Sequence, residues 1–140
     1  MNRFDTLISL VGIAGCTTVI IIAAWLDPDP RGYGTHQQLN LPPCGFLLEH
    51  HYPCISCGMT TAFSAMAHAQ FGLALRANPF GCVLFLVTLF LPFWCADSIR
   101  WRKDPLRFTF SPRGRFLLPV GAALLLINWA VMATLYRLSH

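Results

Sequence analysis

The sequence predicts an all-α membrane protein with three transmembrane helices and one interfacial or re-entrant helix. Hydrophobic residues make up 55% of the 140 positions and charged residues 11%, whereas soluble domains usually carry about 25% charged residues. The apolar residues gather into three runs, each close to the ~20 residues that a helix needs to cross the ~30 Å hydrocarbon core. No fixed-period repeat or low-complexity linker divides residues 1–140, so we expect one membrane domain.

The first predicted span covers about residues 6–26. It should end at Asp27-Pro28-Asp29-Pro30, because proline and aspartate oppose continuation of a helix. A cleaved signal peptide is the alternative, but its apolar region usually has about 7–15 residues. The tetrapeptide Ile13–Cys16 resembles a lipoprotein processing site, yet the apolar sequence continues from there to Leu26. We therefore favour an uncleaved membrane anchor.

The second and third spans are predicted over about residues 79–96 and 116–136. Pro92 lies inside the second run, where neighbouring helices can satisfy the freed backbone carbonyl. Asn128 is the strongly polar residue of the third run. Its amide favours a hydrogen bond between helices over a place on a transport path.

The charged loops predict the orientation. Basic loops stay on the cytoplasmic side, so the loop 97–115 should be cytoplasmic and the segment 27–78 external, with a cytoplasmic N-terminus. We expect a multi-pass protein of the bacterial cytoplasmic (inner) membrane, with lipid and a membrane protein or a second copy as partners. The net charge of +4 comes mostly from that one loop, so it does not indicate nucleic acid. The basic residues of the loop are Arg100, Arg102, Lys103, Arg107, Arg113 and Arg115.

The external segment contains one further predicted helix, over residues 58–77. This stretch has no proline and is rich in alanine, leucine, methionine and phenylalanine. Thr60, Ser64 and His68 follow one another at four-residue steps and form a polar stripe on an apolar helix, which favours an interfacial or re-entrant position. A fourth span is the alternative, but it would place the basic loop outside the cell.

Three cysteines of the external segment are the candidate functional residues. Cys44, Cys54 and Cys57 would face an oxidising compartment, and three interpretations remain open. The first is a structural disulfide from Cys44 to Cys54 or Cys57. The second is a metal site in which the three cysteines and His51, or its neighbour His50, form a Cys₃His set suited to zinc. The third is thiol–disulfide exchange by Cys54 and Cys57, with Cys44 as the resolving thiol.

The cysteines also belong to a longer motif. The chain resembles a family of small bacterial integral membrane proteins of unknown function, which carry an upstream cysteine, a Cys-Pro-x-Cys-Gly-Leu/Met-Thr core and a downstream Asn-Pro. The resemblance covers roughly residues 40–95 and implies a membrane protein without specifying an activity. Ile55 stands where the family has proline. The matching stretches are Cys44-Gly45-Phe46, Pro53-Cys54-Ile55-Ser56-Cys57-Gly58-Met59-Thr60-Thr61-Ala62, Gly72-Leu73-Ala74 and Asn78-Pro79-Phe80.

An enzymatic function would rest on the thiols alone. The sequence shows no nucleophile with its base, no pair of carboxylates in one segment and no glycine-rich phosphate loop. The leading hypothesis is therefore a non-catalytic accessory protein or subunit with an external cysteine cluster stabilised by a disulfide or a metal. The alternative is a membrane thiol–disulfide oxidoreductase that uses Cys54 and Cys57. The remaining cysteines, Cys16, Cys82 and Cys95, are predicted to pack within the spans.

Overall fold

The computed structural model describes residues 3–50, 53–100 and 117–139, and within these ranges the chain is helical and has no strand. The all-α prediction is confirmed. Its elements are α1 (Arg3–Trp25), a 3₁₀ helix (Thr35–Leu39), α2 (Gly45–His50), α3 (Met59–Ala67), α4 (Phe71–Ala77), α5 (Pro79–Arg100) and α6 (Leu117–Ser139).

Two helices in the described part of the chain are long and apolar enough to cross a membrane. They are Thr6–Trp25 within α1, with a mean hydropathy of 2.4, and Pro79–Arg100, which is α5, with 2.0. Two of the three predicted spans thus coincide with a helix of this kind. In α6 the described apolar stretch is Pro119–Thr134, which falls short of the ~18 residues that a span needs.

Helices α1 and α5 pack side by side in opposite directions. In the first half of α1, a methyl group on Gly12 would lie 3.6 Å from the sulfur of Cys95, which is near the end of α5. At the other end of the pair, Leu26 just after α1 and Gly81 at the start of α5 both contact α3. Short α3 therefore sits where α1 ends and α5 begins.

The single helix predicted over residues 58–77 is in fact two helices. Helix α3 ends at Ala67, and Ala69 takes a left-handed conformation (φ 57°). The N–H of Gln70 donates to Ala65 O and that of Ala69 to Met66 O, a pair of bonds that closes a helix end and redirects the chain. Helices of nine and seven residues are each too short to span, so the alternative of a fourth span is wrong.

The polar face of α3 is largely buried against the chain that follows α1. The Ser64 hydroxyl donates to the carbonyl of Leu26, which lies beyond the last turn of α1 and has no helical partner. The Thr61 and Thr35 hydroxyls are 2.9 Å apart and both residues are buried. The predicted stripe of Thr60, Ser64 and His68 thus divides: Ser64 is buried, whereas His68 is exposed. These contacts fasten α3 to the chain that follows α1.

Asn78 joins three parts of the structure through one buried amide. Its Oδ1 accepts the backbone N–H of Gly81 (2.9 Å) and thereby caps the start of α5. Its Nδ2 donates to the carbonyl of Cys57 (3.0 Å). The same Oδ1 accepts a bond from Nδ2 of Asn128 in α6 (3.1 Å), and Oδ1 of Asn128 accepts the N–H of Phe80 (3.1 Å). The predicted role of Asn128 in pairing helices is confirmed.

We expect Asn78→Ala to lower the free energy of unfolding by about 2–4 kcal/mol, because the Gly81 N–H, the Cys57 carbonyl and the Asn128 amide would all lose a buried partner. Thermal unfolding in detergent, followed by circular dichroism, measures the change. Gln70→Ala is the matched control, since Gln70 is exposed and makes no capping bond with its side chain. Equal midpoints for the two variants would contradict the role given to Asn78.

Candidate cysteine site

Cys44, Cys54 and Cys57 lie together in the part of the chain between α1 and α3. Cys44 directly precedes α2 and accepts the N–H of Leu48 (3.1 Å) with its carbonyl. Cys54 and Cys57 open and close the turn before α3, in which the N–H of Cys57 donates to Cys54 O (3.0 Å). Their three sulfur atoms all lie within 4.8 Å of one another, and each residue is half-buried. The structure therefore brings Cys44, distant in sequence, to the Cys54–Cys57 pair.

Glycine at position 58 allows this turn to press against the bundle. Gly58 has φ 76°, a conformation that side chains disfavour. A Cβ atom there would collide with the carbonyl of Ala77, at the end of α4, and would lie 2.7 Å from that of Gly32. The turn that carries Cys57 is thus packed backbone to backbone between α4 and the loop that follows α1.

Two hydrogen bonds fix the turn to the longer helices. The Cys57 carbonyl accepts Nδ2 of Asn78, which precedes α5. The Pro53 carbonyl accepts Nε1–H of Trp129 in α6 (3.1 Å). The Pro53 carbonyl is therefore bound to α6, and the Cys57 carbonyl is bound to the residue that caps α5. The position of the cysteine pair depends on both contacts.

The surroundings of Cys54 and Cys57 shift the pKa values of the two thiols in opposite directions. Burial and, to a smaller extent, the charges of the neighbouring Cys54 and Cys44 sulfurs together raise the pKa of Cys57 to about 11. Burial would also raise the pKa of Cys54, but hydrogen bonds from Ser56 and Cys44 outweigh it and lower that pKa below its usual value. The Ser56 hydroxyl lies 3.5 Å from the Cys54 sulfur. Cys54 is thus the better nucleophile of the pair.

A cavity of about 790 Å³ opens beside the cysteines, and all three of them line it. Leu41, Leu47 and Leu48 form an apolar wall. Arg31 and His36 are the basic side chains of the lining. Arg31 forms an exposed ion pair with Asp29 (2.6 Å), which lowers the pKa of that carboxyl. The Asp29 carboxylate therefore balances the charge of Arg31 in the cavity lining.

The structure brings together some of the predicted site residues but not all of them. Cys44, Cys54 and Cys57 form one cluster, and all three are free thiols, so the disulfide interpretation gains no support. His51 lies outside the described residues. His50 is exposed, with its ring centroid 4.7 Å from that of Phe46.

Sequence reasoning missed two residues of the site, His36 and Trp129. His36 lies in a short 3₁₀ helix within a loop and has no metal-ligand spacing to the cysteines that would have marked it. The contact of Trp129 with Pro53, 76 positions away, has no local sequence signal.

Comparison with known proteins finds that the cysteine region is similar to one protein family of unknown function. Residues 44–92 match the family model described as "Protein of unknown function (DUF2752)". The matched region includes the cysteine cluster, α3, α4 and most of α5. No curated protein and no solved structure matches the chain. The predicted resemblance to a family of unknown function is confirmed.

We expect a short pulse of iodoacetamide at about pH 8 to modify Cys54 roughly tenfold or more faster than Cys57, because the thiolate is the reactive form. Mass spectrometry of peptides from reduced, anaerobic protein measures both rates. Cys57→Ser should keep the fast phase and Cys54→Ser should remove it. Faster modification of Cys57 would contradict the assigned order of pKa values.

Proposed function

We propose that the protein is a small, non-catalytic subunit of the bacterial inner membrane whose external cysteine cluster binds a thiophilic metal ion of the zinc class. The observation that supports the proposal is the convergence of three cysteine sulfurs within 4.8 Å. Two of them come from the turn before α3 and one from the residue before α2. Three thiols from two segments suit one ion better than they suit one disulfide, which would leave an odd thiol.

The donor set fits such an ion. A zinc–thiolate bond is about 2.3 Å long, so two sulfurs on one tetrahedral ion lie about 3.8 Å apart. The sulfurs are already within 4.8 Å, so changes of side-chain torsion are enough to bring them to that separation. Thiolate ligands select zinc and monovalent copper over magnesium or calcium, which prefer oxygen.

The role of the ion would be to hold the external segment on the bundle. Cys44 precedes α2, which makes few contacts of its own and buries no residue. Cys54 and Cys57 belong to a turn that is bound to α5 and α6. An ion shared by both would tie α2 to the helices in the membrane, because it closes the loop of residues 45–53.

The membrane arrangement that we propose has three spans and a cytoplasmic N-terminus. Helix α6 has 23 residues, enough in length for a span, and Asn128 and Trp129 hold it beside the start of α5 and the cysteine turn. The basic loop would then lie in the cytoplasm. Large apolar side chains cover the outer faces of α1 and α5 and would contact lipid, a larger membrane protein or a second copy. They include Leu7, Val11, Ile21, Val83, Phe90 and Phe93.

Topology reporters test this arrangement. Alkaline phosphatase fused after Leu39 should be active, because that position would be external. The same enzyme fused after Lys103 should be inactive, whereas green fluorescent protein at Lys103 should fluoresce. An active phosphatase after Lys103 would contradict the proposed orientation.

Metal analysis tests the proposed function. Protein purified anaerobically in detergent should contain about one equivalent of zinc-class metal per chain, and Cys44→Ser, Cys54→Ser and Cys57→Ser should each retain less than about half of it. Cys16→Ser is the control, since Cys16 lies within α1 and outside the cluster, and it should retain the full amount.

A second function, thiol–disulfide exchange, is favoured by the difference between the Cys54 and Cys57 thiols. In that reaction the pair would form a disulfide, and two electrons and two protons would pass to a partner disulfide or a quinone. Metal-free wild-type protein whose Cys54 and Cys57 equilibrate readily with a glutathione buffer would support the exchange and contradict the metal site.

A further inference from the structure

We infer that His36 is the fourth ligand of the metal site and completes a Cys₃His set with Cys44, Cys54 and Cys57. This inference rests on the proposed function and assigns a residue that the sequence did not single out. A closed tetrahedral set of four protein ligands is typical of structural zinc. Two observations support His36: its position beside the cavity of the cysteines and the hydrogen bond of its imidazole ring.

His36 borders the same cavity as the three cysteines. The structure describes three histidines, and of these only His36 lines that cavity. It is half-buried, whereas His50 and His68 are exposed. The imidazole of His68 is bound to the carbonyl of Ser64, and that of His50 contacts Phe46. His36 is therefore the described histidine best placed to meet an ion at the cluster.

The hydrogen bond of the His36 ring leaves a nitrogen ready to bind metal. Nε2 lies 3.2 Å from the carbonyl oxygen of Pro42. A carbonyl can only accept, so Nε2 carries the proton and Nδ1 of the neutral ring carries the lone pair. Histidines that bind metal usually donate their other N–H to a carbonyl or carboxylate in this way, which fixes the tautomer and the orientation of the ring.

The 3₁₀ helix that carries His36 is fastened to the helix that follows the cysteine turn. The Thr35 hydroxyl bonds to that of Thr61 (2.9 Å) in α3 and accepts the N–H of Asp29 (3.0 Å). Thr61 lies in the first turn of α3, four residues after Cys57. The backbone beside His36 is thus held near the turn that supplies two of the sulfurs.

Closing the set requires a movement of the segment between His36 and Cys44. The His36 ring is not part of the compact group of sulfurs, so the two sides of the cavity must approach each other around an ion. Residues 37–43 connect His36 to Cys44 and every one of them is exposed. The connector is anchored at Gln38, whose side chain makes two hydrogen bonds with the backbone of Asp27 (3.1 and 2.6 Å). Because the connector buries no residue, a movement that brings His36 and Cys44 onto one ion would not disturb a packed core.

The test uses full-length protein in detergent, with Co²⁺ as a spectroscopic probe and Zn²⁺ in competition for it. The wild type should give the absorption of a tetrahedral site with three sulfur ligands and one nitrogen ligand. His36→Ala should remove the nitrogen signature and weaken Zn²⁺ binding by about tenfold or more, because loss of an outer-shell partner alone costs about 10–100-fold. His50→Ala and His51→Ala are the matched controls and should leave both unchanged. His36→Cys should restore tight binding with a four-sulfur spectrum, which separates loss of a ligand from loss of the fold.

Each of three results would overturn the assignment of His36 as a metal ligand. Loss of the nitrogen signature in His51→Ala, with His36→Ala unchanged, would overturn the assignment and leave the metal site intact. A spectrum unchanged in all three alanine variants would show that the fourth position holds water or no ligand, and would also overturn it. Wild-type protein that binds neither Co²⁺ nor Zn²⁺ would overturn the proposed function together with this inference.

Discussion

The buried amide of Asn78 is the contact on which the arrangement of the cysteine turn, α5 and α6 depends. It caps α5, accepts a bond from α6 and holds the carbonyl of Cys57. A buried polar side chain is costly unless its hydrogen-bonding groups are satisfied, and here both ends of the amide have partners. The start of a long apolar helix, the cysteine turn and α6 are therefore positioned by one side chain.

Small residues allow the elements around this amide to approach closely. The buried core between α3, α4 and α5 consists of Ala62, Ala65, Ala74, Ala77 and Cys82. Side chains of this size bring helix backbones together, as in helix pairs within membranes. Phe63 and Phe85 pack edge to face at the side of this core, with ring centroids 5.5 Å apart. Close packing here places the Cys57–Gly58 turn directly against the end of α4, so the geometry of the site follows from the packing beneath it.

The sequence predicts best what depends on local pattern. Long uncharged runs identified α1 and α5, because a span is set by length and hydropathy. The break between α3 and α4 escaped prediction, since Ala69 occupies the left-handed position where glycine would have signalled a helix end. The Cys54–Cys57 pair was visible as a motif, but the approach of Cys44 depends on folding of the intervening residues. No motif marks the position of His36 beside the cysteines, and the partner of Trp129 is 76 positions away, so composition and spacing predict neither contact.

The indole of Trp129 provides a built-in optical sensor of the cysteine turn. Its N–H is committed to the carbonyl of the residue just before Cys54, although the ring itself belongs to an apolar helix. Indole emission responds to the polarity and hydrogen bonding around the ring. The chain has four tryptophans, so in a variant that keeps Trp129 alone, any rearrangement of the turn that releases the Pro53 carbonyl is reported by tryptophan fluorescence without an added label.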